Sequence, residues 1–167
     1  FREYTQYRDG TDSAVDETRS VYTSQSFTPF AGLTIVRPLL ANSHVYPSST
    51  EDYVTEFAYT LYSNSAALSF KRVETKHPTV SAANNGSGVQ ATSNTYRRTD
   101  GTVAFSQAAD GAFTYTSYSG GLPVKMVEDA QTNHGSEYAS GDDPNGTWGI
   151  SESGTGIHRV TLRRKEA

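Results

Sequence analysis

The sequence predicts an all-β fold of repeated antiparallel hairpins, and three observations carry that prediction. Apolar and polar residues alternate along short segments: Tyr53, Thr55, Phe57, Tyr59 and Leu61 interleave with Val54, Glu56, Ala58 and Thr60, the period-2 pattern of a strand with one apolar face. Turn signals separate such segments, at Asp9-Gly10, Asn84-Asn85-Gly86, Asp100-Gly101, Asp110-Gly111, Gly120-Gly121 and Asn145-Gly146. Asn-Gly and Asp-Gly favour tight primed turns, whose central residues need positive φ. The third observation is a period. Tyr-Thr-x-Tyr occurs at Tyr4–Tyr7, Tyr59–Tyr62 and Tyr115–Tyr118, and the three copies start 55 and then 56 residues apart.

Taken in order, the first copy is led by Tyr4 and Tyr7, and the acidic, polar stretch that follows carries no clear signal. The second copy, Tyr59 and Tyr62, closes the alternating segment and leads to Lys71-Arg72-Val73-Glu74. The third, Tyr115 and Tyr118, leads to Lys125-Met126-Val127-Glu128. A fixed period of this size marks stacked units that bury their apolar faces against neighbours. The expected units are residues 1–55, 56–111 and 112–167 of one β-repeat domain, with their inward tyrosines stacked in a ladder. Gly101, Gly111 and Gly121 lie ten residues apart, which predicts a meander with strands within 102–109 and 112–119. Residues 157–162 read as a last strand. Residues 78–93 and 131–149 read as long loops, and the Gly141–Gly146 run as a solvated turn. Helical periodicity is nearly absent. A β-sandwich with similar turn spacing is the alternative architecture.

The bulk properties restrict the partners. The net charge of -4 and a pI near 5.5 give no reason to expect nucleic acid or an anionic membrane, both of which call for basic patches. The longest apolar run, Leu33 to Leu40, is broken by Arg37 and Pro38 and is far short of the roughly 20 residues of a membrane span. With no cysteine there is no disulfide framework and no thiolate metal site. Ser and Thr make about a quarter of the chain, which suits strands with one wet face. There is no initiator Met and no signal peptide, so residue 1 is not expected to be a translation start.

Tyr96-Arg97-Arg98-Thr99-Asp100-Gly101-Thr102-Val103, then Asp110-Gly111 and Phe113-Thr114-Tyr115-Thr116-Ser117-Tyr118, then 121–129 resemble the YD-repeat, or RHS-repeat, family of bacterial cell-surface and secreted proteins. The likeness covers roughly residues 53–167. It departs from the family at the Tyr-Asp dipeptide, since Arg97 follows Tyr96 and Ser119 follows Tyr118. The resemblance implies hairpins coiled side by side into a strip or shell, a scaffold rather than a catalyst.

The chemistry-bearing residues point the same way. His44, His77, His134 and His158 are not paired at metal-ligand spacing. Glu51, Glu56, Glu74, Glu128 and Asp129 show no catalytic pattern, and no Gly-x-Ser-x-Gly elbow is present. No catalytic residue, metal or cofactor is expected. Trp148 is the candidate platform for carbohydrate stacking. Asn85 and Asn145 fit the glycosylation pattern. The expected function is an extracellular structural module, a scaffold or filament unit that joins head to tail with copies of itself or adjoining repeats. The period puts the start of a next unit near position 168. An adhesin-like or carbohydrate-binding β-sandwich is the alternative, with glycans as partners.

Overall fold

The structure, a computed structural model, describes residues 3–7, 16–48, 51–62, 70–84, 86–128, 130, 138–139, 141–144, 146–150 and 159–162. Ten strands follow one another: β1 (Glu3–Tyr7), β2 (Asp16–Phe30), β3 (Leu33–Ser48), β4 (Glu51–Leu61), β5 (Phe70–Lys76), β6 (Thr92–Arg97), β7 (Val103–Gln107), β8 (Phe113–Ser119), β9 (Leu122–Glu128) and β10 (Arg159–Leu162). Each pairs antiparallel with the next, in one sheet whose strand order is chain order. Among the described residues the helical content is one 3-10 turn, Ala82–Asn84. The protein is all-β, and among the described residues its strands form a single sheet rather than the two facing sheets of a sandwich.

The meander forms where the glycines place it, but by another turn chemistry. Gly101 N–H donates to Arg98 O at 2.9 Å, and Gly111 N–H to Ala108 O at 3.0 Å. Asp100 and Asp110 therefore occupy the third position of their turns, and each glycine takes the positive φ that follows, 87° and 89°. These are three-residue loops with a glycine bulge, not primed turns. The carboxylates complete them, accepting from Thr102 N–H at 2.9 Å and Ala112 N–H at 3.0 Å. The Gly120-Gly121 loop, with φ of 58° and 78°, joins Ser119 and Leu122 as a two-residue primed turn.

Residues directly opposite across a ladder share a face. One continuous row is Thr60, Arg72, Tyr96, Phe105, Tyr115, Val127 and Val160, and it defines face B. The neighbouring row, Tyr59, Val73, Thr95, Ser106 and Thr114, lies on the opposite side, face A. Tyr59 faces Val73 as Tyr115 faces Val127, and Thr60 faces Arg72 as Thr116 faces Met126. The second and third Tyr-Thr-x-Tyr segments thus start antiparallel hairpins of the same register. They point their first tyrosines to opposite faces, so Tyr59 and Tyr115 do not form a ladder. The physical reason is the pleat: an odd offset between equivalent positions along the ladder exchanges the two faces. Nor is the sequence interval a constant number of strands, since the three copies fall in β1, in and just after β4, and in β8.

The β2–β3 hairpin is the longest and was not legible as such. Its pairing with β4 ends at Asn42–Glu56, where Ala41 is the extra residue of a bulge between Val21–Asn42 and Tyr22–Leu40. Beyond that bulge the hairpin leaves the β4 ladder and turns over face A, as a bulge allows. Phe27 lies 5.9 Å, ring to ring, from Phe70, which lies 4.9 Å from Tyr59. The Tyr59 hydroxyl donates to Leu40 O at 2.8 Å. Phe27 and Leu39 of the arm are buried. Pro38 is tolerated because this part of β3 is an edge, where a missing N–H leaves no ladder bond unmade.

The principal core lies on face B over β6–β9: Tyr96, Ala104, Phe105, Phe113, Tyr115 and Val127, closed by Ala130, Tyr138, Trp148 and Ile150. Ala104 and Phe105 are both buried because the ladder shifts there, Arg97 facing Val103 after Tyr96 faces Phe105.

Candidate functional site

The most elaborate side-chain constellation ties the segment after β9 to face B. Arg98 leaves the end of β6 and reaches Asp142, 44 residues on. Its Nε donates to both carboxylate oxygens at 3.1 Å, and Nη2 donates to Oδ2 at 2.6 Å. Nη2 also donates to Thr116 O at 2.8 Å, and Nη1 donates to Thr102 Oγ1 and Val103 O, each at 3.3 Å. The guanidinium carbon lies 5.9 Å from the Tyr115 ring centre and 5.6 Å from that of Tyr118, within cation–π range. The Tyr115 hydroxyl donates to Asp142 Oδ2 at 3.1 Å and accepts from Ala139 N–H at 2.9 Å. Asp142 is 6% exposed and Pro144 is buried, so within the Gly141–Gly146 run these two residues are not solvated, while Gly141, Asp143 and Gly146 are exposed; a buried carboxylate needs these partners.

Burial penalises the Arg98 charge, but the Asp142 carboxylate more than offsets it and raises the guanidinium pKa above its ordinary value. The Tyr115 hydroxyl is pushed up, by burial first and by the nearby Asp142 charge. Tyr62 is raised for the same two reasons; its hydroxyl donates to Arg97 O. Every group here is engaged by another part of the chain. The constellation is a clamp, and nothing in it presents an activated nucleophile or a proton relay to solvent.

Face A is different. A groove of about 550 Å³ runs between the β2–β3 arm and the β6–β7 turn. Phe57, Tyr59, Phe70 and Val73 form its floor, and all four are half-buried. Arg37 stands on the arm side; Arg97, Thr99, Asp100 and Gly101 stand on the other. Arg97 Nη1 donates to Gly101 O at 3.2 Å. Asp100 accepts from Thr102 Oγ1 at 2.7 Å, which with the Thr102 N–H lowers its pKa and keeps it ionised.

The structure brings Tyr62, Tyr115 and Tyr118 together around the face B clamp and leaves Tyr59 on face A. Tyr4 and Tyr7 lie in β1, paired with Ser20 and Asp16. Trp148 is 6% exposed, with its ring edge-on to Tyr96 and Phe105 at 6.3 Å each. A ring packed in this way offers no open face to a sugar, which corrects its expected role as a stacking platform. Asn85 and Asn145 lie outside the described residues, as do His134, His158 and Asp129. His44 Nδ1 contacts Asp52 at 2.9 Å, and His77 Nε2 contacts Ser93 Oγ at 2.9 Å. Glu56, Glu74 and Glu128 face Lys76, Arg72 and Arg159 at 3.8, 3.5 and 3.4 Å. Among the described residues no three His, Cys, Asp or Glu side chains converge, and no helix is long and apolar enough to cross a membrane. Sequence reasoning missed Arg98 and Asp142 as partners, because no local pattern connects residues so far apart.

No known protein family, curated protein or solved structure matches this chain.

Proposed function

We propose that the chain is a structural β-repeat module, a scaffold or filament unit of an extracellular or cell-surface protein, related in construction to YD repeats. The observation that carries this reading is the sheet itself. Among the described residues ten strands follow chain order with no crossover, β1 pairs with β2 alone and β10 with β9 alone. Such a strip has two opposite edges on which a further strand of the same or another copy adds by backbone pairing. β10 is exposed along its length, with Leu162 at 73%. The wet, hydroxyl-rich row Thr95, Ser106 and Thr114 on face A suits a module surrounded by water.

Edge pairing of this kind is heterologous and propagates into a fibre unless a rotation closes it. Light scattering on the chain at rising concentration is expected to show growing species. The double variant Val160→Lys, Leu162→Lys, which places charge on the edge, is expected to suppress them while leaving the melting temperature of the monomer unchanged. A wild-type chain that stays monomeric at every concentration tested refutes self-assembly. Mass spectrometry of the secreted protein tests the glycan assignment at Asn85 and Asn145.

A further inference from the structure

We propose that the tip of the β2–β3 arm is an anchor that seats in the interface of a lipid bilayer with zwitterionic headgroups. The inference stands apart from edge pairing: it concerns the free end of one hairpin, not the edges of the sheet.

The tip is apolar and open. Phe30 and Leu33 face one another across the last pair of the β2–β3 ladder, and they are 72% and 47% exposed. Ala31 and Gly32, which join them, are exposed too, and a methyl group built on Gly32 would meet nothing within 4 Å. Phe27 rests on Phe70, the first residue of β5, so the ladder steps beyond Phe27 carry Phe30 and Leu33 past the end of that strand. No Asp, Glu, Lys, Arg or His stands between Arg19 and Arg37.

Polarity is graded along the arm. Behind the tip come the exposed hydroxyls of Thr28 and Thr34, then Ser26 opposite exposed Val36, and then the Gln25–Arg37 pair. From Leu33 to Arg37 the strand climbs about 13 Å. A bilayer carries the same gradient, since its headgroup layer spans about 5–8 Å on each side of the hydrocarbon. A tip seated at the acyl boundary therefore puts the hydroxyls among the headgroups and keeps every charge of the arm in water. The open edges of the two strands stay in the hydrated layer as well, as backbone groups require. Size decides between lipid and protein. Phe30, Leu33 and Val36 are the exposed large apolar side chains of the arm, and they offer on the order of 300 Å². A stable protein interface needs roughly 1,000 Å² or more, whereas a bilayer needs no matching pocket. The net charge of -4 sets the headgroup: an anionic surface repels the chain, and a zwitterionic one does not.

The test is co-sedimentation of the intact chain with phosphatidylcholine vesicles, in the Val160→Lys, Leu162→Lys background so that edge assembly does not carry chains down. Half of the chain is expected on the vesicles at about 1–10 mM lipid, because two side chains anchor less firmly than one myristoyl chain. The pair Phe30→Ser, Leu33→Ser is expected to weaken binding about tenfold with the melting temperature unchanged, since both side chains are exposed. Phe30→Trp is expected to keep the binding. Its emission should shift to the blue on lipid and be quenched by bromines placed on shallow acyl carbons, over a constant background from buried Trp148. Vesicles enriched in phosphatidylserine are expected to bind no more tightly. Four results overturn the proposal: no binding at about 20 mM lipid, binding indifferent to the serine pair, binding to anionic vesicles alone, or self-association without lipid that the serine pair abolishes, which would make a second copy the occupant. A failure of edge assembly in light scattering leaves the result intact, because single chains are read.

Discussion

The hairpins β4–β5 and β8–β9 share a register and a Tyr–Val pair, yet one is half-covered and the other sealed. Above β4–β5 lies a piece of sheet, the β2–β3 arm, whose inward backbone groups pair within its own ladder. Apolar contact runs from Phe27 to Phe70 and on to Tyr59, whose hydroxyl bonds to Leu40 O. Above β8–β9 lies a segment whose described residues form no ladder, so that their polar backbone must be satisfied locally. Thr147 and Ile150 N–H bond to Asp143 O and Pro144 O within it, and Arg98 fixes it to the sheet through Asp142. A cover that is itself a hairpin is positioned by its strands; a cover that is a loop is positioned by a buried ion pair.

The sharpest way to break this comparison is to remove the ion pair. Asp142→Ala leaves Arg98 largely buried without its partner, and a loss of about 3–5 kcal/mol is expected. Thermal unfolding measures the loss, and hydrogen exchange should show it first at Tyr115 and Val127. Phe27→Ala strips the arm of its main contact and should cost about 2–3 kcal/mol, somewhat below a fully enclosed Phe→Ala. Its exchange effect should appear in β4 and β5 and spare β8. If the two covers are independent, the double variant is additive to about 0.5 kcal/mol; a larger coupling shows that the faces communicate through the shared sheet. Tyr59→Phe deletes only the bond to Leu40 O and should cost about 1 kcal/mol, read as earlier exchange of the arm.

Alkaline pH acts on both covers at once. Tyr59, Tyr62 and Tyr115 have pKa values raised in the folded chain above the ordinary 10.0, each by burial first. The folded state therefore holds these protons more tightly than the unfolded state. Their contribution is fully present below pH 10 and is lost as pH rises through the folded values. The melting temperature is expected to fall as pH rises above about 10, and less steeply in Tyr59→Phe. A melting temperature that is flat across this window refutes the burial of these hydroxyls.

The strands that proved legible were those with local signals. The alternation at 53–61 became β4, and the glycines at intervals of ten became β7, β8 and their turns. The long β2–β3 hairpin was hidden because Pro38 and Arg37 argue against a strand unless it is an edge, and edge status is a tertiary property. Asp142 was hidden inside a Gly-Asp-Asp-Pro run that looks solvated on composition alone.

By itself, the sequence determined the all-β class and the positions of the glycine turns at 101, 111 and 120–121. Those follow from alternation, positive φ and local pairing, all of which act over a few residues. Only the tertiary structure decided which face each tyrosine takes, that the arm folds over face A, and that Arg98 holds Asp142 on face B. A face is fixed by the sum of registers across several ladders, where one residue of slip inverts everything beyond it. A clamp between residues 44 apart exists only once the intervening chain has returned to the sheet.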